Sequence, residues 1–93
     1  MTDKGIPMIF CVAVFKSKTD LFTFMEKLKY NGASVETVAT PKEAKIGCGL
    51  SAKFDERYFG LTVRLIKSNN YPSFHAIYKV KRQGGRISTY RAF

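Results

Sequence analysis

The 93-residue chain has no tryptophan, one histidine and two cysteines, and its seven acidic residues all lie before position 57. A single histidine leaves no Cys/His spacing for structural zinc, and two cysteines do not make an iron–sulfur ligand set, so neither a metal nor a cofactor is expected. Cys11 and Cys48 stand in a chain whose 45% hydrophobic content can build a core unaided, which reads as free thiols and not as a disulfide framework. Long apolar runs are missing as well. The longest, Met8 to Phe15, is far short of the roughly 20 residues of a bilayer-spanning helix. The first residues lack the basic, apolar and small-residue succession of a signal peptide, with Gly5 and Pro7 interrupting it, so a cytoplasmic location is the expectation.

What the chain has is charge of one sign, placed unevenly. Sixteen Lys and Arg against seven Asp and Glu give a formal net charge of +9. Residues 1–56 are nearly neutral, whereas residues 57–93 carry Arg57, Arg64, Lys67, Lys79, Lys81, Arg82, Arg86 and Arg91 with no acid at all. The positive field therefore belongs to the second half, and it raises nucleic acid or an acidic partner as a binding target.

Hydrophobic patterning supplies the elements. Met8–Phe15 is unbroken and rich in β-branched and aromatic residues, as in a central strand covered on both faces. Ser17 with Asp20 resembles a shortened capping box, after which Leu21, Phe24, Met25 and Leu28 recur at helical spacing until Asn31-Gly32 stops the helix. Ser34–Thr40 alternates as a half-exposed edge strand. Thr40-Pro41-Lys42-Glu43 reads as cap, first helical residue and third-position glutamate, opening one helical turn that Gly47 ends. Gly49–Phe54 is a third strand, and Asp55 caps a second helix that buries Tyr58, Leu61, Thr62, Leu65 and Ile66. Phe74–Lys81 is a fourth strand with Phe74, Ala76, Tyr78 and Val80 on one face. Arg86–Phe93 reads as a short added strand or a loose tail.

The order βαββαβ predicts an α+β, ferredoxin-like antiparallel sheet in spatial order 4-1-3-2, with two helices on one face. Residues 1–82 form the expected single domain and 83–93 a C-terminal extension. Because such helices cover one side only, the other face of the first strand needs a cover, supplied by a homodimer or by the tail folded across it. The topology also gathers Phe15–Lys18, the 40–49 segment, Asn69–Ser73 and the start of the fourth strand, with His75, at one rim.

Cys48 sits at that rim between Gly47 and Gly49, which leave a thiol little local cover and allow backbone amides to turn toward it. Lys16, Lys18, Lys42 and Lys45 converge there with the first turn of the first helix, all favouring a thiolate. The competing reading makes Cys48 an inert loop residue and the glycines a tight turn. Cys11 reads as a small core residue, and His75 as either a rim proton carrier or a surface side chain.

Thr40-Pro41-Lys42-Glu43 followed by Cys48-Gly49-Leu50, after a β-α-β opening whose helix ends in Asn31-Gly32, resembles the family of small bacterial proteins labelled selenium/sulfur carriers. The resemblance covers roughly residues 8–80. It falls on Thr40, Pro41, Lys42, Glu43, Cys48 and Gly49, and implies a cysteine that holds sulfur or selenium as a persulfide or selenosulfide, received from a donor enzyme. The alternative is a basic nucleic-acid-binding or protein-interaction module without covalent chemistry. Gly49–Phe54 lacks the aromatic run by which an RNA-recognition sheet stacks bases, so nucleic acid would be held through phosphates.

Overall fold

The computed structural model describes residues 8–45 and 49–93. The elements run β1 (Met8–Phe15), α1 (Lys18–Tyr30), β2 (Val35–Ala39), a 3-10 turn (Lys42–Ala44), β3 (Leu50–Asp55), a second 3-10 turn (Glu56–Tyr58) leading into α2 (Phe59–Ser68), β4 (Phe74–Gln83) and β5 (Arg86–Arg91). All pairings are antiparallel, in the order β2-β3-β1-β4-β5. The result is an α+β fold with a five-stranded sheet and two helices. It departs from the four-stranded βαββαβ expectation by the fifth strand and by the 3-10 turn before α2, whereas the turn before β3 is the one anticipated after Thr40-Pro41. The last residues do not fold across the sheet, because β5 pairs along the edge of β4. No helix among the described residues is long and apolar enough to cross a membrane.

β1 lies between β3 and β4 and is buried on both faces because both sets of its alternating side chains are apolar. Cys11, Ala13 and Phe15 face the helices, where Leu21, Phe24, Met25 and Leu28 of α1 meet Ala52, Phe54 and Ile77. Each fully buried side chain of this size contributes about 1.5–3 kcal/mol relative to exposure. Phe15 is the hub, with ring centroids 5.1 Å from Phe24, 5.7 Å from Tyr71 and 5.6 Å from Phe74. From α2 only Thr62 is fully buried. Tyr58, Leu61, Leu65 and Ile66 are half-buried against the core, joined by Phe59 and Val63, which the sequence pattern left out.

Phe74 corrects the strand pattern. Register runs Val14↔Ala76 and then Phe15↔Phe74, so His75 is the extra residue of a bulge. The bulge turns Phe74 to the helix side with Ile77, away from the Ala76, Tyr78 and Val80 face to which simple alternation assigned it.

The helix-free face has its own core: Val12, Val14, Ala76, Tyr78 and Val80, with Phe10 and Val38 packed against it and Ala44 of the β2–β3 connection seated on it. Val12 and Val14 are 2% and 0% exposed within one chain. Among the described residues, the central strand therefore shows no bare apolar stripe on this face of the kind from which a homodimer was expected.

Candidate functional site

The β2–β3 connection is held at its base by the strand ladder. Thr40 N–H donates to the Gly49 carbonyl at 3.1 Å, next to the Ala39↔Leu50 pair. Thr40 is not the cap of the following turn. Its Oγ1 lies 2.7 Å from Oγ of the fully buried Ser51, Pro41 holds the cap position, and no side chain caps the turn. A buried hydroxyl needs a partner, and Thr40 satisfies Ser51. The 3-10 turn closes through Ala44 N–H to Pro41 O (3.0 Å) and Lys45 N–H to Lys42 O (3.2 Å).

Lys45, not Gly47, ends the turn, in the left-handed conformation (φ 53°). Lys42, Glu43 and Lys45 are exposed, while Ala44 is 5% exposed against the sheet. Gly47 and Cys48 lie outside the described residues.

The first turn of α1 is organised around Ser73. Ser17 is extended (φ −119°, ψ 145°) and its Oγ accepts from Asp20 N–H at 3.2 Å. Asp20 does not reach back to Ser17 N–H as a capping box would. Its Oδ2 instead accepts from both Ser73 N–H (2.9 Å) and Ser73 Oγ–H (2.7 Å), and Ser73 Oγ receives Ser17 N–H at 3.2 Å. Since the Ser73 proton goes to Asp20, the 3.1 Å contact between the two hydroxyls has Ser17 donating. The helix terminus is thus occupied by a carboxylate and its serine partners, on the side of the sheet opposite Ala44. Lys16 and Lys18 are exposed beside it. Ser73 was not singled out from sequence; its only signal was a hydroxyl after Pro72, beyond the end of α2.

His75 is half-buried at the bulge, on β4, with β1 between it and β3; its carbonyl accepts from Arg91 Nη2 at 3.4 Å. The eight basic residues of the second half do not share one face. Arg57 sits over the Tyr58 ring with its Nε 3.9 Å from Asp55, and Arg64 and Lys67 lie exposed on α2. Lys79 is withdrawn, its Nζ 3.2 Å from Glu56 Oε2 and 4.7 Å from the centre of the Phe59 ring; the hydrogen bond to Glu56 raises its pKa. Lys81, Arg82, Arg86 and Arg91 are exposed on the β4–β5 hairpin.

Cys11 is the cysteine that the described residues contain, and it is a free thiol with no exposed surface. Burial pushes its pKa up to about 11; nearby Lys79 opposes the shift, and Glu56 and Asp55 add to it. A thiol so placed stays protonated at neutral pH and is no nucleophile.

Residues 10–79 match the family described as "Putative Se/S carrier protein-like". The chain belongs to this family. Neither the curated proteins nor the solved structures yield a match. The matched segment of this Se/S carrier-like chain includes both cysteines, the β2–β3 connection and the Ser17–Asp20–Ser73 network, and it stops before the exposed end of the hairpin. On the helix-free face Tyr78 is buried and Phe10 lies under Lys53, whose Nζ is 4.4 Å from the ring centre, so neither ring is free to stack a base.

Proposed function

We propose that the chain carries sulfur or selenium on Cys48, held as a persulfide or selenosulfide and passed on. The observation that carries this reading is the burial of Cys11, one of the two thiols of the matched segment. Cys11 is sealed in the core and protonated, which leaves Cys48, between Gly47 and Gly49, for the family's chemistry.

In the loading step the Cys48 thiolate attacks the outer sulfur of a donor persulfide. A new S–S bond forms at Cys48, the donor's own S–S bond breaks, and its electron pair leaves with the donor thiolate. One sulfane sulfur changes owner and no external oxidant is consumed. Lys42 and Lys45 on the same connection, with Lys16 and Lys18 at the head of α1, contribute positive potential that favours the thiolate. Thr40, Pro41 and Glu43 belong to the connection, the glycines at positions 47 and 49 bring no side chain that would cover the anion, and His75, with β1 between it and β3, is included as a proton carrier of the rim.

The partner is a sulfur- or selenium-donating enzyme in the cytoplasm. The frame is a ferredoxin-like unit of residues 1–82, extended at 83–93 by β5.

Intact-mass measurement on protein from a sulfur-mobilising host tests the reading. The expected result is a reducible adduct of about one sulfur, absent from Cys48→Ser and kept in Cys11→Ser. An adduct that survives Cys48→Ser, or none in the parent, overturns it.

A further inference from the structure

β5 is an open edge whose backbone is set out for another strand. The hairpin turns on Gly84 (φ 58°) and Gly85 (φ 82°) and closes on the pair Gln83↔Arg86. Two consecutive positive φ values make a type I′ turn, whose flanking residues exchange both backbone hydrogen bonds. Bonding then alternates along the ladder, so the N–H and C=O of Arg86, Ser88 and Tyr90 face β4 while those of Ile87, Thr89 and Arg91 face outward. Ala92 N–H donating to Ile77 O at 2.8 Å keeps the same phase. Among the described residues no strand lies beyond β5.

The side chains are equally open. Ile87 and Tyr90 are 60% and 51% exposed, on opposite faces. Lys81, Arg82, Arg86 and Arg91 are exposed, and none pairs with a described Asp or Glu; Arg91 donates to Phe93 O at 3.3 Å and to His75 O at 3.4 Å.

We propose that β5 accepts an acidic, extended segment of a partner protein as a sixth strand. Main-chain bonds to Ile87, Thr89 and Arg91 supply the pairing, and the four cations select the charge. A second copy of this chain fits poorly. Self-pairing in the phase of the outward row sets Thr89 opposite Thr89 and brings the same cations from both copies to one edge with no acid to match them, since residues 57–93 contain none. A polynucleotide would use the cations but leave the outward row of alternating donors and acceptors unmatched.

The inference goes beyond the carrier reading and does not need Cys48, so Cys48→Ser should bind as the parent does. The probe is a fluorescein-labelled peptide of about nine residues alternating glutamate and valine, long enough to span β5. Binding is read by anisotropy, and amide hydrogen exchange is followed on the full chain.

The expected result is saturable binding that protects the Ile87, Thr89 and Arg91 amides. Thr89→Pro, which removes an outward donor and no β4 bond, should weaken it about tenfold, as should Arg86→Glu with Arg91→Glu. Circular dichroism and melting confirm that each variant is folded. Ile87→Thr keeps the backbone row intact, and binding within about twofold of the parent is expected. Peptide binding indifferent to Thr89→Pro, no protection of the three amides, tighter binding of a single-stranded oligonucleotide, or a concentration-dependent dimer lost in Thr89→Pro would each overturn the proposal.

Discussion

Ser73 donates its backbone N–H and its hydroxyl to one oxygen of Asp20, at 2.9 and 2.7 Å, and so ties the start of β4 to the first turn of α1 across 53 positions of sequence. Both groups are partly buried. Asp20→Ala leaves the Ser73 N–H unpaired and should cost about 1–3 kcal/mol, with Ser73→Ala at the lower end of that range. Urea unfolding checks this, as a lower midpoint at unchanged slope.

Cys11 gives the fold an alkaline limit. Its pKa in the fold is raised from 9.0 to about 11, so the native state binds the thiol proton more tightly than the unfolded chain does. The resulting stability is complete below about pH 9 and is lost as pH rises toward 11, at up to about 1.4 kcal/mol per unit. The raised Lys79 pKa acts in the same direction, its share being lost at still higher pH. Melting temperature against pH should fall through this window, and Cys11→Ala should flatten the Cys11 part of the fall.

The two thiols should react differently. In native protein at mildly acidic pH, an alkylating reagent should modify Cys48 faster than a free thiol and leave Cys11 untouched. Denaturation should release Cys11. Peptide mapping of the alkylated sites reads both outcomes, and a Cys48 no faster than free cysteine removes the physical basis of an activated carrier.

Lys45 holds a left-handed conformation that costs a non-glycine residue about 1–2 kcal/mol. Lys45→Gly relieves this and gives back part of the gain through the freer unfolded chain, for a net rise of up to about 1 kcal/mol. Gly84→Asn is the matching case on the hairpin. A Cβ there meets nothing within 4 Å, and Asn-Gly suits a type I′ turn, so stability should hold or rise, whereas Gly85→Ala at φ 82° should lower it by about 1 kcal/mol. Thermal melts of the three variants check the order.

The period-3.6 stripe of Leu21, Phe24, Met25 and Leu28 and the doubly apolar β1 were legible because burial of those faces dominates their energetics. Phe74 was not, since one bulged residue inverts the side to which a strand side chain points. Thr40 was misread for a different reason: a local cap and a hydroxyl 11 positions away compete for the same oxygen, and the buried Ser51 wins. At the candidate site, Lys42, Lys45, Gly47 and Gly49 were legible only as sequence neighbours of Cys48. It did not reveal that Ala44 seats the connection on the helix-free face, because a lone alanine carries no periodic signal.

That seat divides the molecule into two working sides. The sheet stands as a partition, with α1 and α2 behind it and the described part of the β2–β3 connection in front. If Cys48 carries sulfur as proposed, a donor protein that engages the described part of the connection would approach from the front, away from the outer surface of the helices. The outer surface of α1, with Tyr30 90% exposed at its end, is then a natural point of attachment: a chain tethered there would keep its front side open.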